Sequence, residues 1–135
     1  MRRIASLLLL IVALTSCTGD GAPQPEQAKR LPSSTKPSEG LASYYSSGLD
    51  GERTASGVPF DMDAMVAAHP TYEFGTIVRV TNLVNQRSVN VKIVDRGPAR
   101  GARAEGVIID LSRAAAEKLD FIEDGRTRVR LDVIE

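Results

Sequence analysis

"TIVRVTNLVNQRSVNVKIVDRGP", residues 76–98, is the most regular pattern in the chain. Within it "TIVRVTNL" (76–83) and "SVNVKIVD" (88–95) alternate apolar with polar residues and are rich in β-branched side chains. That period of two marks strands buried on one face. "VNQR" (84–87) supplies a hairpin turn between them, and the second strand runs out into Asp95-Arg96-Gly97-Pro98. Strand ends that feed a rigid turn are places where a scaffold projects functional side chains. The plainest reading of Asp95 and Arg96 is nonetheless a turn salt bridge, with Gly97 and Pro98 as punctuation.

Working outward, "LASYY" (41–45) is a candidate strand and "GVIIDL" (106–111) a short apolar one. "TRVRLDVI" (127–134) alternates again, with Val129, Leu131 and Val133 on one face and Arg128, Arg130 and Asp132 on the other. One helix is expected from Ser112, a good N-cap, to Leu119, where Ala115, Ala116 and Leu119 keep helical spacing. A second short turn of helix is expected after Asp61, which would cap it. "TASGVPFDMDAMVAAHP" (54–70) carries the only histidine, His69, in a run with a strand-like apolar end. These patterns predict a mainly β domain, closed or packed around one core, with one or two short helices.

Upstream the composition changes. "MRRIASLLLLIVALTSC" (1–17) places two arginines before an apolar run too short to span a bilayer as a mature helix, the form of an export signal. Leu14-Thr15-Ser16-Cys17 resembles a bacterial lipobox, which makes residues 1–16 a signal peptide and Cys17 a lipidated N-terminus. Such an anchor also accounts for a lone cysteine in an oxidising compartment. Thr18, in place of an aspartate, points to the outer membrane by the enterobacterial sorting pattern. Residues 18–39 are rich in Pro, Ser, Gly and charge and cannot bury enough to fold. As a flexible coil they reach about 25 Å. The expected organisation is thus signal peptide (1–16), lipidated Cys17 and linker (17–39), and one barrel domain (40–135).

Charge and ligand types narrow the chemistry. With 17 basic and 17 acidic side chains among 135 residues, the chain carries no net field to attract nucleic acid. One histidine and a lipidated cysteine cannot build the usual zinc set, so no metal is expected. A serine triad drawn from Ser56, His69 and Asp95 is disfavoured, because "TASGV" is not a nucleophile elbow.

Five separated motifs, in order, carry a family resemblance: "GLASYYSSG", "TASGVPFD", "AAHPTYEFGTIVRVTNL", "VKIVDRGP" and "IDLSRAAAEKL". Together they resemble the rare lipoprotein A (RlpA) family of septal-ring lytic transglycosylases, over nearly everything from Gly40 to the C-terminus. The resemblance implies a six-stranded double-psi β-barrel and cleavage of peptidoglycan between N-acetylmuramic acid and N-acetylglucosamine. The muramic 6-hydroxyl attacks its own anomeric carbon and leaves a 1,6-anhydro end, with no cofactor. The family's functional residues fall on Asp95 of "DRGP", His69 of "AAH", and a glutamate of the "TASGE" motif whose place is taken here by Val58. Asp95 is then the acid/base, aided by His69, with Glu52, Asp61 and Asp63 as unmatched substitutes. Arg96 and Tyr44, inside two of the motifs, are the substrate-binding candidates.

The implied partners are peptidoglycan glycan strands and, through Cys17, a membrane, which places the protein on the periplasmic face of the envelope. Many family members carry a C-terminal SPOR domain that binds peptide-free glycan at division sites. This chain reaches Glu135 without one, so septal recruitment, with or without a protein partner, is not implied. The missing glutamate keeps a second class open: a glycan-binding barrel that has lost turnover.

Overall fold

The computed structural model describes residues 36–135. The expected signal peptide, Cys17 and most of the linker lie outside the described residues. Six strands, β1 (Ser38–Tyr44), β2 (Val66–Ala68), β3 (Ile77–Asn82), β4 (Ser88–Asp95), β5 (Val107–Leu111) and β6 (Thr127–Val133), close into a barrel in the order β1-β5-β2-β4-β3-β6. The pairs β1/β5 and β2/β4 are parallel and the other four antiparallel.

Side-chain alternation builds the core. In β4, Val89, Val91 and Ile93 point inward while Asn90 and Lys92 face out; in β6, Thr127, Val129 and Leu131 are buried between exposed arginines. Val78, Val80, Ile109 and Leu111 complete the filling. Burying each such aliphatic side chain contributes about 1.5–3 kcal/mol relative to leaving it in water. Helix α2 (Arg113–Lys118) closes one side against β4 and β1. Ser112 Oγ accepts the Ala115 N–H at 3.2 Å, as its sequence position predicts, and Ala115, Ala116 and Leu119 are fully buried.

Several elements differ from the sequence pattern. β1 begins at Ser38, not Leu41, because Ser38 and Glu39 pair with Leu131 and Arg130 of β6. Gly40 permits this path: a Cβ there would lie 2.6 Å from Ile108 Cγ2 of β5. No helix follows Asp61; its Oδ1 accepts the Asp63 N–H at 2.9 Å in a local turn that competes with helix. The second helix is instead α1 (Arg100–Ala104), between β4 and β5, which buries none of its residues and so shows no apolar stripe in the sequence.

Candidate functional site

The ends of four adjacent strands converge on one cleft. Register pairs Asp95 of β4 with Ala68 of β2, Ala68 with Asp110 of β5, and Asp110 with Ser43 of β1. Asp95, Ala68, Asp110 and Ser43 therefore form a row across the barrel wall. The two aspartates stand two strands apart, about 9.5 Å between backbones by ordinary strand spacing, with Ala68 at the register position between them. A cleft of about 580 Å³ opens here, lined by Tyr44, Tyr45, Asp95, Arg96, Arg100 and Asp110 among others.

Asp95 is held from three sides. Its Oδ1 accepts the N–H groups of Ala55 and Arg96, each at 2.8 Å, and its Oδ2 accepts the Tyr45 hydroxyl at 2.7 Å. The Tyr45 ring packs on Phe60 with centroids 4.3 Å apart. Burial, and then the hydrogen bond and negative charge of Asp95, raise the Tyr45 phenol above its ordinary 10.0, so it stays a donor. The Ala55 contact ties the 54–58 turn to the same carboxylate.

Arg96 makes no salt bridge with Asp95. Its guanidinium Nη1 donates to the carbonyls of His69 (3.2 Å) and Tyr72 (2.8 Å), and its Cζ lies 4.0 Å from the centre of the Phe74 ring. The turn salt bridge is thus replaced by a clamp on the 69–74 loop, whose carbonyls need donors that the loop itself does not supply.

His69 is buried beneath that loop, its backbone N–H donating to Asp95 O at 3.2 Å. Its ring stacks on Tyr72 at 3.6 Å, and Nδ1 accepts the N–H groups of Thr71 (3.2 Å) and Tyr72 (3.0 Å). Burial, and then the nearby Arg96 charge, lower its pKa to about 4. The imidazole is therefore neutral at working pH, with its proton on Nε2 because Nδ1 is occupied as an acceptor. Ser56 Oγ pairs with Thr54 Oγ1 at 3.0 Å, and the serine triad is not assembled.

Tyr44 and Arg96 both line the cleft, though Tyr44 commits its hydroxyl to Ile122 O at 2.9 Å. Val58 is 48 % exposed and is not among the lining residues. Glu52 and Asp63 are exposed outside the cleft, as is Asp61. Among the described residues, no three His, Cys, Asp or Glu side chains gather as a metal site would require.

Tyr45 and Asp110 escaped the sequence reading. Both stand inside the family motifs, in "SYY" and "IDLS"; for Asp110 the signal was a charged group near the end of the otherwise apolar β5, and Tyr45, one residue past a mixed β1, offered none. Burial raises the Asp110 carboxyl above the usual range; the Ser43 hydroxyl and Arg126 pull it down, and the Asp95 charge pushes it up.

Residues 37–131 match the family model described as lytic transglycolase. Relatives named endolytic peptidoglycan transglycosylase RlpA are 45 % identical in Campylobacter jejuni over 96 residues (71 % of this chain, 34 % of theirs) and 44 % identical in Neisseria meningitidis over 95 residues (70 % and 38 %). The chain spans roughly a third of the length of these curated relatives. Among solved structures, a Streptomyces papain inhibitor aligns at TM-score 0.59 and 23 % identity, covering 75 % of this chain and 96 % of that one. The expansin of Clavibacter michiganensis aligns at 0.57 and 24 %, covering 74 % and 51 %. At that identity the likeness is one of fold, the double-psi β-barrel.

Proposed function

Since the chain belongs to the lytic transglycolase family of double-psi β-barrels, we propose that it cleaves peptidoglycan glycan strands between N-acetylmuramic acid and N-acetylglucosamine, releasing 1,6-anhydromuramic ends. The observation that carries this reading is the Asp95 carboxylate, fixed by three donors at the edge of an open cleft. Preorganised side chains on strand ends are what proton transfer to a positioned substrate requires.

The reaction uses no water. The muramic C6 hydroxyl oxygen bonds to C1 of its own ring, the C1–O bond to the next sugar breaks, the hydroxyl proton leaves to a base, and the departing oxygen gains one. Asp95, already presented as a hydrogen-bond acceptor, takes the hydroxyl proton. His69 supports it as a neutral imidazole, bonded through its backbone to the Asp95 carbonyl and ordering the 69–72 turn. Arg96 holds that turn in place, and Tyr44 contributes aromatic wall to the cleft.

Residues 1–39 extend the proposal to location: export, lipid attachment at Cys17, and tethering of the barrel at the periplasmic face of the outer membrane. Val58 favours a second reading, a barrel that binds glycan without cutting it, since the family's "TASGE" carboxylate is replaced. Incubating the purified protein with peptidoglycan sacculi separates the two. Anhydromuramic products support the enzyme, whereas sacculus binding without them leaves a wall-binding protein.

A further inference from the structure

We infer that Asp110 is the general acid that protonates the departing glycosidic oxygen, with Asp95 as the base, so that the reaction is shared by two carboxyl groups facing each other across Ala68. This rests on the transglycosylase reading and divides its proton transfers between two residues.

The geometry supplies the argument. Both carboxyl groups line the same cleft, on strands separated by one, with the smallest chiral side chain between them. The DRGP turn folds over that gap: a Cβ on Gly97 would lie 3.2 Å from Ala68 Cβ and 3.3 Å from Asp110 Oδ2. A side chain at position 97 would be tight against both atoms, which would have to give by a few tenths of an ångström, and glycine lets the turn that follows Asp95 approach the second carboxyl without that adjustment. The surroundings of the two groups are unlike. Asp95 accepts on both oxygens from an N–H pair and a phenol. Asp110 accepts at Oδ1 from Ser43 Oγ, and among the described residues its Oδ2 takes no hydrogen bond. A carboxyl with one oxygen free, beside a carboxylate that already accepts three donors, is the one that holds the proton. The charged groups around Asp110 agree: Asp95 opposes its ionisation, while Arg126, which favours it, is itself paired with Glu105. Paired carboxyl groups in contrasting environments are how one site runs acid and base chemistry at one pH.

The proton count closes. Asp110 gives its proton to the glycosidic oxygen as C1–O breaks, and Asp95 receives the C6 hydroxyl proton as O6–C1 forms. After the products leave, the proton returns from Asp95 to Asp110, restoring both without a co-reactant.

The test is leaving-group dependence. On sacculi, where the leaving sugar alkoxide needs a proton, Asp110→Asn is expected to lower turnover by about 100-fold or more. On an aryl glycoside of a muramic-terminated disaccharide, whose phenolate leaves unprotonated, the same variant is expected to lose less than about 5-fold, while Asp95→Asn stays impaired on both. Equal losses for Asp110→Asn on the two substrates, or none on sacculi, overturn the assignment. Should that variant fail to fold, the wild type decides: the alkaline limb of its kcat profile is expected on sacculi and not on the aryl glycoside, and a limb present on both places the acid elsewhere. Absence of anhydro product from wild type on both substrates overturns the transglycosylase reading itself and this assignment with it.

Discussion

Tyr45 donates its hydroxyl to Asp95 at 2.7 Å across 50 residues of sequence, joining the end of β1 to the end of β4 at the mouth of the cleft. Its ring is fixed separately, against Phe60. Tyr45→Phe therefore removes the hydrogen bond and keeps the packing. Turnover on sacculi is expected to fall about 10-fold with KM little changed, and stability to drop by about 1.5–3 kcal/mol, the scale of a hydrogen bond to a charged group. Asp95→Asn goes further, with a loss of about 10²–10⁴-fold while the fold survives, because Oδ1 can still accept the Ala55 and Arg96 N–H groups. Paired kinetics and thermal melts check both. An unfolded Asp95→Asn protein would point to a structural carboxylate and not a catalytic one.

His69 gives the domain an acid sensitivity. Its pKa is about 4 in the fold against 6.5 free, so between those values the unfolded chain binds the proton and the folded one does not. The stabilisation is fully present above pH 6.5 and is lost as pH falls toward 4. At 1.36 kcal/mol per unit this amounts to at most about 3 kcal/mol. Denaturant melts from pH 7 to 4 are expected to show that slope, and His69→Gln to flatten it. An unchanged slope in the variant would assign the sensitivity to other groups.

Asp110 has the opposite sign. Its pKa is raised in the fold, so below the unfolded value the carboxyl is neutral in both states and costs nothing, whereas above that value the unfolded chain ionises first and the native state is penalised increasingly until the raised value is reached. Asp110→Asn is therefore expected to melt with wild type near pH 3 and above it at pH 7, gaining stability where it loses activity. Such a trade is common where a site holds a destabilised group. Matched melting temperatures at both pH values would remove the strained carboxyl from the account.

Cys17 is expected to carry lipid. Metabolic labelling with a radioactive or clickable fatty acid should mark the wild type and miss Cys17→Ala, which should also leave the membrane fraction. Equal labelling of the two would dispose of the anchor.

Strand patterning was legible wherever burial alternates. β4 occupies Ser88–Asp95 as its pattern predicts, and β3 loses only Thr76 and Leu83, the latter drawn into a turn where Gln86 adopts φ 65°. β2 was harder to see: Val66–Ala68 has three residues, too few to show a period, and its partners in β4 and β5 are 26–27 and 42–44 positions away. The same long range hid Asp110. Nothing near it in sequence says that Ser43, Ala68 and Gly97 converge on its carboxyl, so "IDLS" reads as a strand end before a helix cap. His69 and Asp95 were legible through the family motifs. The occupation of Nδ1 and the diversion of the Arg96 guanidinium to carbonyls are loop geometry, which residue type does not encode.

Val58 offers the strictest test of whether the family's missing carboxylate matters. It closes a turn in which the Thr54 N–H (2.9 Å) and Oγ1 (2.6 Å) both donate to Val58 O, Gly57 takes φ +92°, and the Ala55 N–H binds Asp95 at 2.8 Å. The bonds that hold the turn are made by backbone atoms of residue 58, not by its side chain, which is 48 % exposed. A glutamate there keeps its hydration, so Val58→Glu should alter stability by no more than about 0.5 kcal/mol. The turn is already tied to the Asp95 carboxylate, and an added proton-transfer group acts in the transition state more than in substrate binding, so anhydro-product formation is expected to rise about 10-fold or more with glycan affinity unchanged. A stable variant with no gain, in a wild type that is itself active, would show that the reaction needs no carboxylate at position 58. Activity that appears only in Val58→Glu would instead make the natural chain a glycan-binding barrel one residue short of an enzyme.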